Sequence, residues 1–208
     1  GWADGRHQNR KWENNLDLVH RKSYITEGAT CHYTWYVPQN VEGLFQVISN
    51  SGQNVIARLD RMFDEGLYWH GNEPCHQIAY LYNKAGASWK TQQRIHHILN
   101  TEYNDTPGGL SGNDDAGQMS AWYMFSAIGF YPVCPATPYY YIGTPSFDKV
   151  TFNLENGRKF EIVAEGVDDE NFYIQQVDLN GKSGYYLSHD DLLKGGKLSF
   201  RMGNTPKY

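Results

Sequence analysis

Three stretches of the chain bring carboxylates, amides and aromatic rings together. Thr26-Glu27-Gly28 precedes the aromatic run His32-Tyr33-Thr34-Trp35-Tyr36; Trp69-His70-Gly71-Asn72-Glu73-Pro74 opens one helical pattern; Gly108 to Gln118, with Asn113-Asp114-Asp115 flanked by glycines, opens another. Each lies at an element boundary, where side chains reach a cleft more readily than from mid-helix. In the third stretch two adjacent carboxylates meet a helix N-terminus, whose unpaired N–H groups favour the ionised form, and an ionised carboxylate suits a base. Asp114 or Asp115 could equally be a plain Asx cap of that helix, although the flanking glycines allow a closer backbone approach than a cap requires. Glu73, in a first turn beside Pro74, has a dipole placement that is favourable without any function. Glu27, between Gly28 and the aromatic rings, is either a surface residue or a partly desolvated carboxyl with a raised pKa, as a general acid requires.

Two carboxyls in opposed environments, one to protonate a leaving oxygen and one acting at the anomeric carbon, meet the requirement of glycoside hydrolysis. Trp69 and His70 would floor a sugar site whose hydroxyls Asn, Glu and His bind. No Ser nucleophile elbow, HExxH pair or P-loop is present, and the run Gly108-Gly109-x-x-Gly112 follows no strand of a βαβ unit, which excludes dinucleotide binding.

Composition narrows the class further. The 208 residues carry 18 Lys+Arg against 23 Asp+Glu, with no basic run longer than Arg21-Lys22, so the footprint of a nucleic-acid binder is missing. The longest apolar stretch, Ala121 to Pro132, is interrupted well short of the ~18–20 residues that span a bilayer. Three cysteines without CxxC spacing argue against a disulfide framework and a structural zinc site. Hydrophobic residues at 40% and aromatics at 15% describe a globular chain.

The elements that must hold these clusters are helical first. Asn54 predicts a cap for a helix carrying Val55, Ile56, Leu59, Met62 and Phe63 and stopping at Gly66. A second helix is expected over 75–85, ending at Gly86, and a third from a Ser88 cap with Trp89, Gln92, Ile95 and Leu99 on one side. A fourth over 117–128 is apolar nearly all round, so both of its sides should be buried; a weaker one follows Asn40 over 41–49. All six tryptophans lie at or before Trp122, and a composition shift near 135–148 marks a boundary. Beyond it, strands 150–154 and 159–163 flank Asn156-Gly157, a type I′ hairpin signal. Residues 171–179 alternate into Asn180-Gly181, and 197–202 form a last strand of a small antiparallel sheet.

Taken in order, these stretches are specific. Glu27-Gly28-Ala29 with Tyr33-Thr34-Trp35-Tyr36-Val37-Pro38, His70-Gly71-Asn72-Glu73-Pro74, Tyr80-Leu81-Tyr82-Asn83, Gly112-Asn113-Asp114-Asp115-Ala116-Gly117-Gln118-Met119-Ser120-Ala121-Trp122-Tyr123 and Gly129-Phe130-Tyr131-Pro132-Val133-Cys134-Pro135 make a chain that resembles glycoside hydrolase family 92. The family consists of calcium-dependent, inverting exo-α-mannosidases, and the resemblance covers its C-terminal portion. It implies an α+β fold: residues 1–140 as the helical part of an (α/α)6 barrel, and residues 141–208 as a small antiparallel β-sheet or sandwich region.

By the same resemblance Glu27 is the catalytic acid and Asp115 the base that activates water, about 6.5–9.5 Å away in an inverting enzyme. Trp69, His70, Glu73, Asn113 and Asp114 bind substrate, and Asn72 and Glu73 are metal ligands for calcium. Implied partners are mannose-containing glycans, including N-glycans, and the N-terminal part of a longer parent chain. Export to the periplasm or the cell exterior is implied likewise. An (α/α)6 barrel needs twelve helices of ~11–12 residues, and about five are legible, so this chain is expected to be inactive alone. A non-catalytic carbohydrate-binding module and another (α/α)6 glycosidase or phosphorylase are the alternatives.

Overall fold

The computed structural model describes residues 2–13, 17–181 and 184–208. The helices are α1 (Thr30–Thr34), α2 (Val41–Asn50), α3 (Val55–Asp64), α4 (Leu81–Lys84), α5 (Ser88–Thr101), α6 (Gln118–Ile128) and α7 (His189–Leu193). The strands are β1 (Phe130–Tyr131), β2 (Tyr139–Ile142), β3 (Lys149–Asn153), β4 (Lys159–Glu165), β5 (Tyr173–Leu179), β6 (Tyr186–Ser188) and β7 (Gly196–Gly203).

Local chemistry sets most helix ends. Asn40 Oδ1 accepts the Gly43 N–H and Asn54 Oδ1 the Ala57 N–H, each at 2.9 Å, so both asparagines cap as their types predict. Gly66 and Gly86 follow α3 and α4 with φ of +67° and +79°, the left-handed stops expected of glycine. Ser88 differs: it is the first residue of α5, Ala87 precedes it, and no side chain caps the helix.

The single helix expected over 75–85 is instead two 3-10 turns, Glu73–Cys75 and Ile78–Tyr80, followed by the short α4. Side-chain donors, one of them from distant Trp122 and one local, take up carbonyls of this stretch. The Trp122 indole N–H takes the His76 carbonyl at 2.9 Å and Gln77 Nε2 takes that of Pro74 at 2.9 Å. Tyr80 N then bonds three residues back, to Gln77. Helix α6 also departs from expectation. Met119, Trp122, Ser126 and Ala127 are buried, while Tyr123 and Met124 face outward, Met124 at 62% exposure.

Two sheets follow. One has three antiparallel strands in the order β1-β2-β6; the other has four, β3-β4-β7-β5. The β4–β7 ladder is parallel and the others antiparallel, so the tail is a mixed sheet and not the wholly antiparallel one expected. Between β3 and β4 only Gly157 has a positive φ, +77°, which is not the type I′ turn that Asn156-Gly157 signals; Asn180-Gly181, at +49° and +86°, has the paired left-handed backbone instead.

One hydrophobic core lies among the helices around Trp35, Tyr80, Tyr82 and Trp122, and another lies on the four-stranded sheet around Phe160, Ile162, Leu198 and Phe200; Phe125 packs against both. Polar side chains join them. Gln92 Oε1 on α5 accepts the buried Ile174 N–H at 2.9 Å, and Asn83 Nδ2 donates to Ile142 O at 2.7 Å. Substituting Gln92→Met keeps the volume and strands the Ile174 N–H. Urea unfolding should show a loss of about 1–3 kcal/mol; an unchanged midpoint would mean that this bond contributes nothing to holding helix and sheet together.

Candidate active site

Glycine contacts bring the acidic loops together. A Cβ on Gly112 would collide with the Gly71 carbonyl, and one on Gly71 would stand 2.7 Å from the Ser111 carbonyl. Backbone therefore lies directly on backbone, an approach open only to residues without a side chain. The loop bearing Asn72 and Glu73 is pressed against the loop bearing Asn113 and Asp115. Opposite them, Gly28 adopts φ +72° beside Glu27. His32 secures that turn: its Nδ1 accepts the Ala29 N–H at 3.0 Å and its Nε2–H donates to Leu67 O at 2.8 Å. The Glu27 loop is thus tied to the strand of chain that leads into Trp69.

These loops enclose a cavity of about 350 Å³ lined by Arg21, Glu27, Gly28, Trp69, Gly71, Gly112, Asn113 and Asp115. Trp69, at 42% exposure, offers an open indole face to it. Glu27 and Asp115 are both exposed, so the desolvation expected around Glu27 is not supplied by the residues that surround it. Glu73 is half-buried and in contact with Asp115. Burial first, then a hydrogen bond to Asp115 and the charges of Asp115 and Glu27, push its carboxyl above the usual glutamate range, against the pull of its own backbone N–H.

The two adjacent aspartates divide their work. Asp114 Oδ1 accepts both the backbone N–H and the hydroxyl of Ser120 at 2.9 Å, and its carbonyl accepts the Met119 N–H. It holds the first turn of α6, and the structure places it at that helix end, outside the cavity lining. Asp115, Ala116 and Gly117 then take φ of +47°, +58° and +95° in succession. This left-handed run turns Asp115 away from the helix end and into the cavity.

His70 is also relocated. It has no exposed surface, its ring nitrogens bond the hydroxyls of Tyr68 and Tyr103 at 2.7 Å each, and its ring meets Trp122 edge-on at 4.3 Å. Burial, with His76 nearby, drives its pKa down to about 2. A neutral histidine inside a tyrosine clamp cannot floor a sugar site; Trp69 alone of the pair reaches the cavity.

Residues that sequence reasoning passed over complete the underside. His76 Nε2–H donates to His70 O at 3.1 Å, which leaves its Nδ1 to accept from Gln118 Nε2 at 3.2 Å; Gln118 also bonds the Tyr131 hydroxyl at 3.2 Å. Burial lowers the His76 pKa to about 4, opposed in part by the charge of Asp115. Burial likewise raises Tyr131 to about 12 and, together with Glu27, Cys75 and Glu73, raises Tyr33. Arg21 reaches the rim, its Nη1 donating to Thr26 O at 2.6 Å. The one sequence signal for Gln118 was its place as the first residue of α6 after two glycine-flanked acids.

Asn72 and Glu73 were the expected metal ligands. Asn72 is buried, and its Nδ2 lacks a hydrogen-bond partner. Oxygen donors of this kind suit a hard cation such as calcium, which takes 6–8 of them. Two side chains do not complete such a shell, and among the described residues no group of three or more His, Cys, Asp or Glu could hold a metal ion. The donors fit calcium in kind and not in number.

The Glycosyl hydrolase family 92 catalytic domain, as a family model, matches residues 1–204. The chain belongs to glycosyl hydrolase family 92. A family GH92 α-mannosidase from Bacteroides thetaiotaomicron, solved in complex with mannoimidazole, superposes with a TM-score of 0.91 at 39% identity, covering 100% of this chain and 30% of its own. A family GH92 inverting mannosidase from the same organism gives 0.90 at 36% identity over 99% of this chain and 31% of its own. A protein of Arthroderma benhamiae described as an uncharacterized secreted glycosidase is 31% identical over 174 residues, 81% of this chain and 22% of its own. The chain spans less than a third of the length of these family relatives. Within the family fold it supplies a mixed region of helices and sheets, and no helix among the described residues is long and apolar enough to cross a membrane.

Two outcomes follow from the site's construction. Gly112→Ala forces a Cβ into the Gly71 backbone, so the thermal midpoint should fall markedly, by more than Gly108→Ala, where a Cβ meets nothing and φ is not positive; equal effects would mean that the loops are not held by this contact. Second, His70 and His76 fold with pKa values below the usual 6.5, so the unfolded chain takes up their protons first. Their stabilisation is fully present above about pH 6.5 and is lost as pH falls, toward about 4 for His76 and about 2 for His70, with a slope of about 1.4 kcal/mol per pH unit for each histidine. Urea unfolding between pH 6.5 and 4.5 checks this, and a flat profile would sink the assignment.

Proposed function

We propose that this chain carries the acid and base of an exo-acting α-mannosidase that releases terminal α-linked mannose from glycans with inversion. The observation that supports this most is the convergence of Glu27 and Asp115, from separate loops, on one cavity walled by the Trp69 indole and Asn113. Mannose stacks its apolar face on Trp69 while Asn113 and Glu73 bind its hydroxyls. Glu27 gives its proton to the glycosidic oxygen as the bond to the anomeric carbon breaks. Asp115 takes a proton from the water that attacks the opposite face, in a single displacement. Glu73, in contact with Asp115, lies beside the base.

Calcium is the proposed cofactor. Asn72 and Glu73 would contribute to holding it, and its chemistry when bound is to grip vicinal sugar hydroxyls through oxygen. Helices α1–α6 are proposed to be part of an (α/α)6 barrel, and the rest of the whole protein to cover the exposed Glu27 and Asp115. A secreted relative supports an extracellular or periplasmic site of action.

In the full-length parent protein, Glu27→Gln and Asp115→Asn should each lower kcat on an aryl α-mannoside by about 10²–10⁴ while the fold persists. NMR of the first product should show the β-anomer, and a chelator should reduce turnover reversibly. Near-full activity in either variant would overturn the assignment.

A further inference from the structure

A second cavity, about 450 Å³ in volume and larger than the one between the acids, lies where the helices meet the three-stranded sheet. It shares no residue with the acidic cleft. Its floor is the sheet: Tyr139 and Tyr141 are two apart on β2, and Tyr186 on β6 stands opposite Tyr141 in register, so all three rings project from one face. Tyr141 and Tyr186 meet edge to face with centroids 4.9 Å apart, while Tyr139, 52% exposed, has its ring open. The facing wall is polar. Glu42 and Lys84 pair across it at 2.5 Å, and Gln39 adds an amide.

The chemistry of this lining selects among ligands. Its one cation is matched by one carboxylate, so nothing there collects a phosphate. Its rim carries an amide, an ion pair and tyrosine hydroxyls, so a purely apolar ligand would leave polar groups stranded. Flat aromatic faces beside convergent donors and acceptors suit a ring with one apolar face and an equatorial belt of hydroxyls, and the volume falls within the ~300–1,000 Å³ of small-ligand sites. We propose that this pocket binds a hexopyranose unit of an oligosaccharide, stacked on Tyr139 and Tyr186 and hydrogen-bonded by Gln39, Glu42 and Lys84. It is a non-catalytic sugar site that shares no lining residue with the acidic cleft, and it stands whether or not the cleft is a mannosidase.

Cys134 lines the pocket and is partly accessible, whereas Cys31 and Cys75 are fully buried, so the chain carries its own occupancy reporter. The experiment follows the rate of Cys134 alkylation by iodoacetamide in the native chain carrying Asp115→Asn. It is run with methyl α-D-mannopyranoside, methyl β-D-glucopyranoside or sorbitol, the last having hydroxyls and no ring. At about ten times its Kd a bound glycoside should slow alkylation about tenfold. Sorbitol should not, and protection should vanish in Tyr139→Ala and Tyr186→Ala, whose rings are exposed enough to be removed without unfolding the chain. No protection by either glycoside, equal protection by sorbitol, or protection that survives both tyrosine substitutions would overturn the proposal. Protection that appears without sugar and grows with protein concentration would overturn it too, in favour of a self-association surface.

Discussion

The contact between Gly71 and Gly112 is the constraint on which the rest of the acidic cleft depends. Each backbone occupies the space that a side chain of the other would need, so the loops are as close as two chains can come without forming a ladder. Because Glu73 follows one glycine by two residues and Asp115 follows the other by three, this approach fixes how near the two carboxyls lie. Their contact adds to burial in raising the Glu73 carboxyl. The absence of two Cβ atoms thus brings two acidic groups together at the centre of the site.

Below that contact the loops rest on a buried layer of hydrogen-bonded polar side chains. The His70 ring is spanned by the hydroxyls of Tyr68 and Tyr103, and Tyr103 passes its own bond to the Met119 carbonyl at the start of α6. His76 faces the His70 carbonyl with one nitrogen and Gln118 with the other. Such layers are costly when half-satisfied and specific when complete, because a shifted register would leave polar atoms unpaired in a low-dielectric interior. Here they set the Glu73 loop and the first turn of α6 in one mutual position. Neutral histidines serve this better than charged ones, since their burial would oppose a charge.

What the sequence made legible follows the range of the forces involved. The caps at Asn40 and Asn54 and the stops at Gly66 and Gly86 were readable, because a side chain reaching three residues along its own backbone is a local event. The ordered motifs placed Glu27, Trp69, Asn113 and Asp115, and the structure gathers these four on one cavity. The break in the helix expected over 75–85 was not readable: it depends on the indole of Trp122, far along the chain. Nor was the burial of His70, whose Trp-His-Gly-Asn-Glu neighbourhood looks like a sugar floor until Tyr68 and Tyr103 close on the ring. The parallel β4–β7 ladder was hidden for the same reason, since a strand's alternation reports which face is buried and not which neighbour it pairs with.

Asn113-Asp114-Asp115 shows how a single motif can satisfy both of its rival interpretations. A helix N-terminus attracts an anion, and a lone aspartate there would be held by the orphan amides and withdrawn from solvent. With two in succession, Asp114 takes the Ser120 amide and hydroxyl and quiets the helix end. The next residue is released from that duty. Three left-handed residues in a row are an unfavourable path for Asp115 and Ala116, and only an anchored start at Asp114 and a glycine at 117 make the path tenable. The cap is thus the condition for the exposed carboxylate, and Asp115 reaches the cavity because its neighbour does not.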